Sequence, residues 1–126
     1  YWATEAMAEE ALAVATEGFA SWRERPAEDR ADCLERYADL MEVNMQELMA
    51  ICCREAGKTI QDGIDEVREA VDFCRYYALQ GRSRFGKAMA LPGPTGESNE
   101  LYMEGRGVFL CISPWNFPLA DSIFTR

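Results

Sequence analysis

Val108-Phe109-Leu110-Cys111-Ile112 runs directly into Ser113-Pro114-Trp115-Asn116-Phe117-Pro118. The apolar run predicts a buried strand, and the prolines after it predict the loop into which it hands over. Pro114 and Pro118 fix the backbone on either side, so the residues between them are held in place. Asn116 is a non-titrating amide between two rings, and its side chain can donate a hydrogen bond to a developing negative charge. The same residues also suit a rigid turn with aromatic packing, and both readings stand at this level. The functional one sets an oxyanion donor and an aromatic wall beside a strand end, where α/β proteins bind ligands.

Working outward, Leu101-Tyr102-Met103-Glu104 suits a strand and Gly105-Arg106-Gly107 a tight bend or bulge. The segment from Leu91 to Asn99, rich in proline and glycine, predicts a loop without regular structure. Three helices precede it. Residues 3–24 form a first helix, with Leu12, Ala15, Phe19 and Trp22 on one face and Pro26 closing the segment. Ala27-Glu28-Asp29-Arg30 opens a second, with acids at the positive end of its dipole. Its stripe is Leu34, Tyr37, Ala38, Met41, Met45, Leu48 and Cys52, and Gly57 is its C-cap. Thr59 caps a third, whose stripe is Ile60, Ile64, Val67, Val71, Cys74 and Ala78, ending at or near Gly81. Its opposite face carries Asp62, Asp65, Glu66, Arg68, Glu69 and Asp72, a pattern expected of a solvated face. Pro118 suits the first position of a further helix. Three long helices followed by short strands predict a mainly α chain whose helices cover a sheet in an α/β fold.

The 126 residues are enough for one domain with a real core. With 13 Lys and Arg against 22 Asp and Glu, the net charge is -9, which argues against nucleic acid and against anionic membrane surfaces. No apolar run reaches the ~20 residues of a membrane span. There is no histidine, so His-based metal sites and His-dependent dyads are excluded within the sequence, and no metal site is expected. The five cysteines are odd in number and lack the spacing of a disulfide scaffold, which predicts reduced, buried thiols and a cytoplasmic protein. The sequence starts at Tyr1 and stops at Arg126 before any nucleophile for an Asn116 site, so both ends read as cut points and the chain as the front end of an enzyme.

Two motifs invite other readings. Ala56-Gly57-Lys58-Thr59 has the look of a phosphate loop, but the full pattern needs a glycine where Cys52 stands, and a helix cap followed by a helix start explains all four residues. Cys52-Cys53 is not a CxxC pair, and adjacent helical cysteines point in different directions, so packing is expected for them and for Cys111.

Ile112-Ser113-Pro114-Trp115-Asn116-Phe117-Pro118 resembles the motif of the aldehyde dehydrogenase superfamily. Arg54-Glu55-Ala56-Gly57-Lys58-Thr59, the run from Glu66 to Ala78, Pro92-Gly93-Pro94-Thr95-Gly96-Glu97-Ser98-Asn99 and Gly105-Arg106-Gly107-Val108 resemble one branch of it. That branch is the L-glutamate γ-semialdehyde (1-pyrroline-5-carboxylate) dehydrogenase module of bifunctional proline utilization A. The resemblance implies that residues 1–126 are the N-terminal part of a Rossmann-like NAD-binding domain, with the catalytic domain elsewhere. It implies a cysteine thiolate that attacks the aldehyde, hydride transfer to NAD, and release of the acid by water with a glutamate base. Asn116 would hold the oxyanion. The backbone of Ile112, Ser113, Pro114 and Trp115 would line the NAD site, and Phe117 would face the substrate tunnel. Glu69 and Phe73 would border that tunnel from the third helix, Glu69 against the substrate's ammonium group.

The nucleophile, the base and the glycine-containing NAD loop map beyond Arg126, so the segment alone is expected to be inactive. FAD is implied only for a proline-oxidising domain upstream of Tyr1. The implied partners are a small aldehyde, the remainder of the polypeptide and further copies in a homo-oligomer. Two alternatives fit the same residues: a stand-alone aldehyde dehydrogenase with another substrate, and a truncated, non-catalytic helical interaction module. One departure stands out. The branch runs Pro-Leu-Ala directly into Ile-Phe-Thr, whereas Asp121 and Ser122 intervene here, enough to rotate a helix by ~200°.

Overall fold

The computed structural model describes residues 3–120; Asp121 and Ser122 lie outside that range. Among the described residues, four helices and one hairpin follow each other: α1 (Glu5–Arg23), α2 (Ala27–Val43), α3 (Met45–Ala56), α4 (Ile60–Phe85), β1 (Met89–Leu91) and β2 (Asn99–Leu101). The chain is thus mainly helical.

Helix α1 begins where the Thr4 hydroxyl accepts the Met7 N–H. Its apolar stripe forms but is covered by little: Leu12 and Trp22 are exposed and Phe19 is half-buried. The expected second helix is two. Asn44 breaks it, donating from its backbone and side chain to the Leu40 carbonyl at 3.0 and 2.7 Å. An asparagine side-chain amide that shares a helix carbonyl with the backbone N–H competes with the regular ladder at that point. Leu48 N–H still donates to Asn44 O, so the apolar periodicity carries across the break.

Gly57 closes α3 with φ 68°, a left-handed conformation that costs a side chain roughly 1–2 kcal/mol. Thr59 and Asp62 then form a complete capping box for α4. Helix α4 runs past Gly81 to Phe85 because Arg82 is held in its last turn by α2. The Arg82 guanidinium donates to Glu28 at 2.7 Å, Asp32 at 2.5 Å and Glu35 at 2.7 Å. Two turns back along α4, Arg75 pairs with Glu42 and Asp39. Rising numbers on α4 thus meet falling numbers on α2, and the two helices are antiparallel. Between them lies a seam of small residues: Ala38, Ala70, Cys74 and Ala78 are fully buried, with Val67, Val71 and Met41 beside them. Small side chains let the two backbones come close, so dispersion contacts are dense there.

The strands differ from expectation. Met89–Leu91 pairs antiparallel with Asn99–Leu101, in the register Met89↔Leu101 and Leu91↔Asn99. The ladder ends at the Met89–Leu101 pair, so Tyr102, Met103 and Glu104 are not in the strand. The expected loop from Leu91 to Asn99 is shorter, residues 92–98, because Leu91 and Asn99 pair with each other in the hairpin; Asn99 Nδ2 also donates to Pro92 O at 3.3 Å. Val108–Ile112 is not a strand, and Phe109, Leu110 and Ile112 are 67%, 86% and 78% exposed. A strand exists only by pairing, and no neighbour for this segment lies among the described residues. For the same reason Cys111 is half-buried, outside any helix or strand, rather than in a core.

Candidate functional site

After this segment, the chain turns. Phe117 N–H donates to Pro114 O at 3.2 Å, closing a β-turn with Trp115 and Asn116 at its corner. The turn does not hang free, because the residues after it are locked to the helical core. Ala120 is fully buried in the cluster of α2 and α4, and Leu119 packs against that cluster. Pro118 stands in the turn, and the helical conformation starts at Ala120 rather than at Pro118.

The polar half of this lock comes from Glu66, which is buried at 2% exposure rather than lying on the solvated face. Gly63, Val67, Ala70 and Cys74 are buried along the same stripe of α4, and Glu66 sits within it. Its Oε1 accepts the N–H groups of both Leu119 and Ala120 at 2.9 Å. Its Oε2 lies 2.7 Å from Lys58 Nζ, an ion pair set off the hydrogen-bond direction. Burial pushes the Glu66 carboxyl up, but Lys58 and the two backbone donors outweigh it and hold the group below its ordinary value. Lys58 reaches Glu66 because the left-handed turn at Gly57 swings it off the end of α3. Its ammonium also lies 4.8 Å from the Phe117 ring centroid, within cation–π range.

The Ala56–Thr59 motif is therefore a helix cap, an ion-pair donor and a helix start. Cys52 is buried, and burial with the nearby Glu66 charge pushes its thiol up, as expected of a packed rather than a reactive cysteine. Cys53 donates weakly to Thr59 O at 3.6 Å.

The residues singled out in the sequence fall into two places. Ile112, Ser113, Pro114, Trp115, Asn116 and Phe117 are contiguous and exposed, with Trp115 at 72% and Phe117 at 41%. The Asn116 side chain makes no hydrogen bond among the described residues. Glu69 is exposed on α4 without a partner among them, and Phe73 is half-buried against the cluster that takes Leu119. Ser113, Pro114, Trp115 and Pro118 face Leu48, Ile51, Cys52, Glu55 and Ala56 of α3 across an open groove of about 400 Å³. Among the described residues there is no metal-binding cluster and no helix long and apolar enough to cross a membrane.

Sequence reasoning missed Glu66 and Lys58. The available signal was the spacing: Glu66 falls three residues after Gly63 and four before Ala70, inside the stripe that buries.

The Aldehyde dehydrogenase family model matches residues 1–124. The bifunctional protein PutA of Salmonella typhimurium is 46% identical over 123 residues, which is 98% of this chain and 8% of that protein. A structure of proline utilization A with proline bound in remote sites superposes with TM-score 0.94 at 54% identity, over 99% of this chain and 13% of that one. A 1-pyrroline-5-carboxylate dehydrogenase from Thermus with bound NAD superposes with TM-score 0.84 at 36% identity, over 98% of this chain and 25% of that one. The chain thus spans under a tenth of the length of the curated relative, and its helices and hairpin match the N-terminal part of the fold in both structures. With the family model running through the motif turn and almost every residue of the chain, this protein belongs to the aldehyde dehydrogenase family.

Proposed function

We propose that this segment is the N-terminal part of the NAD-binding domain of an aldehyde dehydrogenase that oxidises L-glutamate γ-semialdehyde to L-glutamate in proline catabolism. The observation that carries the reading is Asn116. Its amide is uncommitted and exposed at the corner of a turn that prolines stiffen and a buried carboxylate anchors. A donor fixed before the reaction needs no reorganisation when charge develops, the condition under which an oxyanion hole contributes most. Asn116 Nδ2–H donates to the oxyanion that forms when a cysteine thiolate adds to the aldehyde carbon. In this family that thiolate and the glutamate base come from outside these residues.

The exposed backbone of Ile112, Ser113, Pro114 and Trp115 suits one wall of a dinucleotide site, since its polar groups and a flat indole are open to a ligand. No glycine-rich pyrophosphate loop occurs in this sequence, so these residues supply part of such a site. The chemistry supplied by bound NAD is hydride acceptance. Phe117 borders the aldehyde tunnel, and Phe73 borders it from α4. Glu69 meets the substrate's ammonium group with a carboxylate that has no partner among the described residues. The higher identity to the bifunctional enzyme, 54% against 36% for the Thermus dehydrogenase, favours a parent that also carries a proline-oxidising FAD domain. A cytoplasmic homo-oligomer is the setting we expect.

The test is NADH formation by the whole enzyme with glutamate semialdehyde and with a simple aliphatic aldehyde. The reading expects a clear preference for the semialdehyde, and Glu69→Ala should raise KM for it more than for the aliphatic substrate. Equal effects on both substrates would refute the Glu69 contact. Absence of NADH with the semialdehyde would refute the function.

A further inference from the structure

We propose that Glu66 and Lys58 are positioning residues that aim the Asn116 amide. This rests on the oxyanion role proposed above. Asn116 itself touches neither residue, but the chain around it is held at close intervals by both. One residue on, the Phe117 ring lies under the Lys58 ammonium and the Phe117 N–H closes the turn onto Pro114. Three and four residues on, Leu119 and Ala120 donate to one oxygen of Glu66. The other oxygen binds the same ammonium that covers Phe117. The three contacts form one closed circuit from α4, through Lys58, to both ends of the segment following Asn116.

A buried carboxylate is costly unless fully paired, and here every partner it has either is the motif turn or touches it. Packing alone would be served by an apolar residue at position 66, as Val67 and Ala70 show beside it. The charged pair adds direction: two adjacent N–H groups must point at one oxygen, which fixes the backbone orientation at Leu119 and Ala120. Because Asn116 lies within four residues of that point, a tilt there carries through to its amide. A misplacement of about 1 Å at a reacting centre costs roughly a hundredfold in rate.

The experiment is a double-mutant cycle on the whole enzyme, pairing Glu66→Gln with Asn116→Ala and reading kcat and KM separately. Glutamine keeps the size and an acceptor oxygen but releases Lys58, so the fold is retained, which a cooperative melt checks. The expected result is a kcat lowered roughly tenfold to a hundredfold by Glu66→Gln alone, with KM for NAD and aldehyde little changed. In the Asn116→Ala background the same change should cost no more than about twofold, because nothing is left to aim. Lys58→Arg should hold kcat near the parent value, and Lys58→Met should lower it as Glu66→Gln does. Equal losses from Glu66→Gln in both backgrounds would overturn the inference while leaving the oxyanion reading intact. An unchanged kcat in Asn116→Ala would overturn that reading and the inference with it.

Discussion

Glu66→Ala gives the sharpest structural consequence of this fold. The substitution removes a carboxylate that serves two backbone donors and a lysine whose side chain is 14% exposed. Each unsatisfied N–H costs about 1–3 kcal/mol, and breaking a buried ion pair by deleting one partner costs about 3–5 kcal/mol. These terms overlap, because water enters the gap and the turn can lift away, so about 3 kcal/mol is the working figure. The loss should fall on local opening of the segment around residues 113–120, not on the whole molecule, since the α2–α4 seam and the Arg75 and Arg82 pairs are untouched. At 1.36 kcal/mol per decade, amide exchange there should accelerate by roughly a hundredfold. Hydrogen exchange read by mass spectrometry on peptides covering residues 113–120 measures it. Peptides from α1 and from the β1–β2 hairpin serve as internal controls. Unchanged exchange at Leu119 and Ala120, or an equal acceleration across all peptides, would refute the view that Glu66 anchors this turn.

Further consequences follow from other residues. Gly57→Ala places a Cβ at φ 68° and should lower stability by about 1–2 kcal/mol, seen as a lower urea midpoint with an unchanged slope. The Glu66 carboxyl is held below its ordinary 4.5, so its contribution is complete above that pH and fades as pH falls through the lowered value. The stability gap between the parent protein and Glu66→Gln should therefore shrink on acidification below about pH 4.5 and stay level above it. A gap that widens on acidification would reverse the sign of the argument.

Local signals were legible where local chemistry decides. The Thr59 cap, the Gly57 C-cap and the part of the stripe from Val67 to Ala78 need only a few neighbouring residues, and the structure has them; Ile60, at the head of that stripe, is 71% exposed, and Asp62 completes a capping box rather than only facing solvent. The break at Asn44 was hidden because the apolar repeat continues across it, while the break is made by one side-chain amide on Leu40. Gly81 looked like a stop, but Arg82 reaches across to three acids of α2, and that tertiary tie carries the helix on. Val108–Ile112 has strand composition without a pairing partner among the described residues, and composition cannot supply one. The motif turn was readable as a held segment because its prolines are local. What holds it was not, because Glu66 lies more than 50 residues away in sequence from Leu119 and Ala120 and stands among charged residues that do face solvent.

The central claim is that this anchored turn presents Asn116 as an oxyanion donor. The most direct measurement is kcat for semialdehyde oxidation by the whole enzyme carrying Asn116→Ala, with NAD affinity measured alongside by titration. The account predicts a kcat lower by roughly a hundredfold to a thousandfold with NAD affinity retained. A kcat within about threefold of the parent, on a fully loaded enzyme, would contradict it.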